Sequence, residues 1–170
     1  MNARNITLRP GRPADAIRIA AMSRDLIEAG LGWSWGPDRV GRAISNKDTF
    51  TLLACDRERV VAFAIMYFGE EHAHLNLLAV KPSHQRLGVG RRMVEWLVDS
   101  AQVAGIATIH LELRTANSVA RSFYRALGFT ESAYIPGYYR GREMALRMMR
   151  VLRTPGVPLP AWPVPKLPKI

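Results

Sequence analysis

Cysteine and acidic residues are the scarce features of this chain: it has one Cys, Cys55, and 14 Asp and Glu against 24 Lys and Arg. One thiol excludes an intrachain disulfide, and in a strand-like run it reads as packing rather than redox chemistry. No apolar run approaches the roughly 18 residues of a bilayer-crossing helix; the longest, Val60 to Phe68, is strand-sized. The start, Met1-Asn2-Ala3-Arg4-Asn5, shows neither the apolar core nor the cleavage site of a secretory leader. The expectation is therefore a soluble, cytoplasmic protein with no membrane partner. His72 and His74 share a strand face but lack a third ligand nearby, so no metal is expected. No run of basic residues interleaved with aromatics and no zinc-finger or RNA-binding signature appears, so nucleic acid is not expected as the main partner.

The 170 residues, 48% of them hydrophobic, suit one domain with a good core and are too few for two. The net charge of +10 has two readings. It attracts a polyanionic cofactor, an acidic peptide or an RNA-rich particle. Alternatively it is compositional, since 20 of the 24 basic residues are arginines scattered from Arg4 to Arg153.

The most informative stretch runs from Leu75 to Leu97. An apolar strand, Leu75 to Val80, ends at Pro82. A basic, glycine-bearing loop, Ser83-His84-Gln85-Arg86-Leu87-Gly88-Val89-Gly90, leads into a helix with Met93, Val94, Trp96 and Leu97 at helical spacing. Gly88 and Gly90 let the backbone turn tightly and let a ligand approach. The helix start presents unpaired N–H groups and a positive dipole end, and Arg86, Arg91 and Arg92 add charge, which together make a phosphate receptacle. A nucleotide P-loop is excluded, because no Lys-Ser/Thr follows Gly90. The dinucleotide fingerprint is excluded too, because Met93 occupies the place of its third small residue. A glycine turn that merely opens a helix is the plain alternative.

A second stretch adds to the first. Ile109, Leu111 and Leu113 alternate with His110, Glu112 and Arg114, the pattern of a strand with one apolar and one polar face. Asn117 or Ser118 then caps a helix that Gly128 closes. Gln85, Gly88 and Gly90 resemble the Gln/Arg-x-x-Gly-x-Gly/Ala signature of the GNAT acyltransferase superfamily. The run from Arg114 and Asn117 through Ala120, Phe123 and Tyr124 to Gly128-Phe129 is similar to its protein N-terminal acetyltransferase branch, ribosomal-protein alanine N-acetyltransferases in particular.

That resemblance covers roughly residues 72 to 150 and implies an α/β fold. It is a mixed sheet with helices on both faces, in the order β-α-α-β-β-β-α-β-α-β-β. The remaining sequence agrees: a strand at Ile6 to Arg9, a helix from Pro13 to about Glu28 through Ile17, Ala20, Ala21 and Ile27, and a loop holding Trp33 and Trp35. A short helix at Asp38 follows, then a hairpin of Thr51 to Ala54 with Val60 to Phe68, and the strand His72 to Val80. Two closing strands, Glu131 to Ile135 and Glu143 to Arg150, flank a loop over 137–141. The domain is expected over residues 1–153. The tail, 154–170, holds six of the eleven prolines and favours extended polyproline II rather than helix or strand. Trp162 and Leu167 give the tail something apolar to dock, on its own domain or on a neighbouring subunit, which would make a homodimer; a disordered end is the alternative.

By the same resemblance the cosubstrate is acetyl-CoA. Its pyrophosphate would be held by Arg86, Leu87, Gly88, Val89, Gly90 and Arg91, and its pantetheine would pair along Leu78, Ala79 and Val80 and bond Asn117. Glu112 would be the general base, through water, and Tyr124 the general acid. Each has a structural counterpart: Glu112 as an outward residue paired with Arg114 or His110, Tyr124 as core filling. Trp33, Trp35, Tyr138 and Tyr139 would line the acceptor site, although the tryptophans equally suit fastening their loop. The acidic pair usual after the Tyr-Tyr element is Glu143 followed by Met144 here, and a polar position of the fourth strand is Leu77, with Asn76 expected on the opposite face. The acceptor is left open between a protein N-terminal α-amine, a lysine and a small amine such as a polyamine or aminoglycoside. A catalytically idle acyl-CoA sensor and a ribosome-associated module are the alternatives from other classes.

Overall fold

A computed structural model describes residues 5–157; Trp162, Leu167 and the five prolines from Pro158 onward lie outside the described residues. The elements follow in the order β1 (Ile6–Pro10), α1 (Ala16–Leu26), α2 (Pro37–Ser45), β2 (Thr49–Asp56), β3 (Arg59–Phe68), β4 (His72–Val80), α3 (Val89–Val103), β5 (Thr108–Arg114), α4 (Ser118–Ala126), β6 (Thr130–Tyr139) and β7 (Glu143–Val151). The seven strands make one mixed sheet ordered β1-β2-β3-β4-β5-β7-β6. The expected element order and mixed α/β architecture are borne out.

Helices cover both faces because the inner strands are apolar on both sides, as strands buried twice must be. On one face α1 and α2 lay Ile19, Ala20, Met22 and Val40 against Leu53, Phe63, Ile65, Leu77 and Ala79. On the other, α3 and α4 lay Met93, Leu97, Tyr124 and Leu127 against Ala54, Ala64, Ile109, Leu111 and Leu146. Cys55 is buried in the first of these layers.

The sheet is interrupted at its centre. β4 and β5 are parallel but pair only from His72↔Thr108 to His74↔His110. β5 then keeps β7 along its whole length, from Thr108↔Val151 to Arg114↔Ala145, while β4 keeps β3 as far as Val80. Where the β4–β5 pairing stops, β4 has a bulge. Ile65 of β3 opposes Leu77, and the next residue, Met66, opposes Leu75, leaving Asn76 as the extra residue. A bulge bends its strand and raises the local twist, which carries the end of β4 away from β5.

Several expectations need correction. The bulge resets the alternation, so Asn76 and Leu77 lie on the same face, not opposite ones, and both line one cleft. The first helix opens with a single 3₁₀ turn over Pro13–Asp15 and ends at Leu26, and Ile17 is exposed. β6 runs on to Tyr139, so Tyr138 and Tyr139 belong to an irregular strand rather than a loop, and the turn is Arg140-Gly141-Arg142. No helix among the described residues is long and apolar enough to cross a membrane.

The first residues of the tail are attached to the domain. Gly156 N donates to Glu71 Oε1 (2.8 Å), and Arg153 Nη1 donates to the carbonyls of Thr154 (3.2 Å) and Val157 (3.0 Å). A chain ending after Arg153 should therefore have a lower thermal midpoint than one ending after Val157, which keeps these bonds. Equal midpoints for the two truncations, by scanning calorimetry, would show that these bonds contribute nothing.

Candidate active site

Two clefts open on opposite faces of the sheet, at the place where β4 and β5 part. The first, about 770 Å³, lies between the end of β4, the start of α3 and α4. Gly88 caps α3 with φ +80°, a left-handed conformation that disfavours any side chain. The amides of Val89, Gly90 and Arg91 begin the helix without intrahelical acceptors; the first backbone bond is Arg92 N to Gly88 O, 3.0 Å. Gln85 pins the loop by donating to Val80 O (2.9 Å). Arg86 and Arg91 line the cleft with that row of donors, so the residues suit a polyphosphate.

Leu78, Val80, Arg86, Gly88, Val89, Gly90, Arg91, Asn117 and Tyr124 all line this first cleft. Ala79 and Leu87 do not: Ala79 is buried on the α1–α2 face, and Leu87 packs on the α3–α4 core. Arg92 is also directed elsewhere, donating to Ile6 O at 2.6 Å. His84 is not a surface residue. It is buried, hydrogen-bonded to Ser83 Oγ (2.8 Å) and Asp56 (3.3 Å), and lines the cleft floor. Asn117 spends its side-chain oxygen capping α4 through Ala120 N (3.0 Å), which leaves its amide NH₂ for a ligand.

Tyr124 is 8% exposed, with its ring edge-on to Phe123 and Phe129. Burial, reinforced by the nearby Tyr139 phenol, holds its hydroxyl well above the usual tyrosine range. The group is therefore a neutral proton donor throughout the physiological range.

The second cleft, about 390 Å³, lies under the α1–α2 connection and holds Trp35, Arg39, His74, Asn76, Leu77, Glu112, Tyr138, Tyr139 and Arg140. Glu112 is its electrostatic centre. Its partners are neither Arg114 nor His110: Arg147, its register partner on β7, donates Nε to Oε1 at 2.7 Å, and His74 Nε2 is hydrogen-bonded to Oε2. Burial pushes the Glu112 carboxyl up, but the hydrogen bonds from His74 and Arg147 outweigh it and leave it below the usual range. Conversely, the bond to Glu112 raises His74 against the opposing effect of burial, and His74 Nδ1 lies 2.7 Å from Asn76 Oδ1. Tyr138 is shifted upward, by burial first and then by the Glu112 charge.

Trp33 and Trp35 part company. Trp35 lines the second cleft, whereas Trp33 donates its indole N–H to Ala20 O (3.2 Å) and lies under Arg24, fastening the loop to α1 outside the cleft. The loop's other anchor is Glu28, which is buried and accepts from Ser23 Oγ (3.0 Å), Ser34 N (2.7 Å) and Trp35 N (3.2 Å). Sequence reasoning missed Glu28, Arg147 and the role of His74. His74 and Glu112 do share the polar phase of adjacent strands, which is the one signal that pointed to their meeting.

A mixed seven-stranded sheet, a central break between β4 and β5 and an amide-lined loop at a helix start define an acyltransferase architecture. The sequence profile of the Acetyltransferase (GNAT) family matches residues 20–129, and the chain belongs to that family. Among characterised relatives, it is 40% identical over 93 residues to the ribosomal protein bS18-alanine N-acetyltransferase of Escherichia coli K12, a match spanning 53% of this chain and 63% of that protein. The crystal structure of the Escherichia coli ribosomal-protein-S18-alanine N-acetyltransferase superposes with a TM-score of 0.78 at 27% identity, covering 91% of this chain and 98% of that one. Arabidopsis thaliana NAA60 in complex with acetyl-CoA, at 16% identity, shares the fold (TM-score 0.77, 86% of this chain and 98% of that one).

The Glu112 network makes a titration prediction. In an NMR titration, the His74 imidazole should protonate above its ordinary value, and Glu112→Gln should bring it down, because burial is then opposed by a weaker acceptor. The His74 contribution to stability is accordingly complete below the unfolded imidazole pKa and is lost as pH rises through the folded one. An unchanged His74 titration in Glu112→Gln would mean that the two groups are not coupled in solution.

Proposed function

We propose that the chain is an acetyl-CoA-dependent N-acetyltransferase whose acceptor is a protein N-terminal α-amine. The carrying observation is the pair of clefts on opposite faces of the sheet, lined by consecutive β4 residues: Leu78 faces the first and Leu77 the second. Acetyl-CoA occupies the first, with its pyrophosphate on the amides and arginines between Arg86 and Arg91 and its pantetheine beside Asn117. Beyond His74, no strand among the described residues pairs with β4 on its β5 side, which supports a role for the amides near Leu78 in polarising the acetyl carbonyl. The acceptor enters the second cleft past Trp35, Tyr138 and Tyr139.

In the reaction the amine nitrogen attacks the thioester carbonyl, a C–N bond forms, and the C–S bond breaks. The amine proton leaves through water to Glu112, and Tyr124 delivers a proton to the departing thiolate. Glu112 is held below the usual carboxyl range, which makes it a weak base. That suits an α-amine, with a pKa of about 7.7 to 8, whose neutral form costs only about 1 kcal/mol at pH 7. A lysine near pKa 10.4 costs roughly 4.6 kcal/mol and demands a stronger base than this site supplies. The name of the Escherichia coli relative, an alanine N-acetyltransferase of a ribosomal protein, supports the same acceptor class.

Tyr124→Phe should keep acetyl-CoA affinity while turnover of an Ala-initiated peptide falls roughly 100-fold, as expected on losing a general acid. Glu112→Gln should slow turnover most at neutral pH and least at alkaline pH, where the amine is already neutral. Full activity in both variants would contradict the assigned roles. A wild-type protein that binds acetyl-CoA and acetylates no amine would favour a non-catalytic acyl-CoA sensor.

A further inference from the structure

The acceptor cleft carries at its mouth two exposed arginines that form an ion pair with no carboxylate among the described residues. Of the acids around it, Glu112 is paired with Arg147 and His74, and Glu143 with Arg114 at 3.2 Å; Glu28, whose partners Ser23, Ser34 and Trp35 are uncharged, is buried and forms no ion pair with either arginine. Arg39 and Arg140 also line the cleft and are exposed, and neither forms an ion pair within the described residues. Asp38, next to Arg39 on α2, neither lines the cleft nor pairs with it.

Each guanidinium group packs against the α1–α2 connection. Arg39 lies over the Trp35 ring, its Cζ 4.1 Å from the centroid. Arg140 sits at the tip of the β6–β7 hairpin with φ +52°, and its guanidinium packs on Gly32 so closely that a Cβ there would come within 2.5 Å of its Cζ. A Cβ at Gly32 would oblige the Arg140 side chain to shift from this position at the mouth of the cleft. Stacking leaves the edge N–H donors of a guanidinium free, and a pre-placed fork of donors matches a carboxylate bidentately. A cationic acceptor such as a polyamine, an aminoglycoside or a basic peptide meets like charge at this mouth, and the buried carboxylate behind it is already neutralised.

Resting on the α-amine reading above, we infer that Arg39 and Arg140 select acceptors with a carboxylate close to the reacting amine, namely protein N-termini with Asp or Glu at the second or third residue. The two arginines are specificity determinants. They bind the acceptor's side chain, not the reacting atoms, so their effect falls on KM more than on kcat.

The test uses the full chain, acetyl-CoA and Ala-initiated peptides that differ only by Glu, Gln or Arg at positions 2 and 3. Wild type should show kcat/KM at least about tenfold higher for the Glu peptide than for the Arg peptide at low salt, with the ratio shrinking as salt rises. Arg39→Gln/Arg140→Gln should bring the Glu:Gln ratio close to one, and Arg39→Lys/Arg140→Lys should retain part of the preference. Circular dichroism of each variant confirms the fold, the single variants Arg39→Gln and Arg140→Gln serve where the double variant does not fold, and a folded glutamine variant that keeps the full preference for Glu overturns the inference. Acetylation of the Gln peptide with no preference for Glu, or with preference for Arg, overturns the inference and leaves the α-amine reading standing. Acetylation of no peptide overturns that reading and the inference with it.

Discussion

Everything at this site depends on the early end of pairing between β4 and β5. A parallel pair left open at the middle of a sheet exposes backbone polar groups that would otherwise be satisfied, which is costly unless something takes their place. The fold limits that cost by giving β5 a full antiparallel partner in β7 and β4 one in β3, so each loses one neighbour and not two. The bulge at Asn76 supplies the divergence. An unpaired strand edge then faces the cleft that holds Tyr124, and an extended ligand arm can pair with it as an added strand would. In the proposed reaction the same divergence would let an acceptor on the α1–α2 side reach a thioester on the α3–α4 side.

A second constraint is the charge economy around Glu112. Its side chain is 5% exposed, and so deep a carboxylate is tolerable only when paired. Arg147 and His74 provide that pairing, at the expense of base strength. A site built this way suits an acceptor that needs little help losing its proton. Tyr124 is the complementary case: a phenol kept neutral by burial, on the opposite face, available only as a donor. The surroundings drive the two titratable groups apart, which is what the acid and base roles proposed for them require.

The readable parts of the sequence were those governed by local chemistry. The strict alternation of β5 announced its two faces, Asn117 announced a helix cap, and the Gly88 turn announced a helix start with open amides. What stayed hidden depends on long-range geometry. Arg147 is 35 residues from Glu112 and meets it only because β5 and β7 pair in one register. Ile17 fits a helical stripe but faces solvent, because α1 starts later and turns a different side to the sheet. The Asn76 bulge is not marked by any glycine or proline in the run from Leu75 to Val80, and it reverses the face assigned to Leu77. Trp33 and Trp35 have the same composition cues, and only the packing of the loop against Ala20 and Glu28 distinguishes the fastener from the cleft residue.

The central claim is that donor and acceptor meet through the gap between β4 and β5 from opposite faces of the sheet. A crystal structure with CoA joined through an acetyl bridge to the α-nitrogen of an Ala-initiated peptide tests it directly. The account predicts pyrophosphate on the amides of Val89 to Arg91, the bridging carbonyl beside the β4 edge at Leu78, and the peptide running past Glu112 between Trp35 and Tyr138. A conjugate whose peptide portion lies on the α3–α4 face, with the second cleft empty, would contradict it.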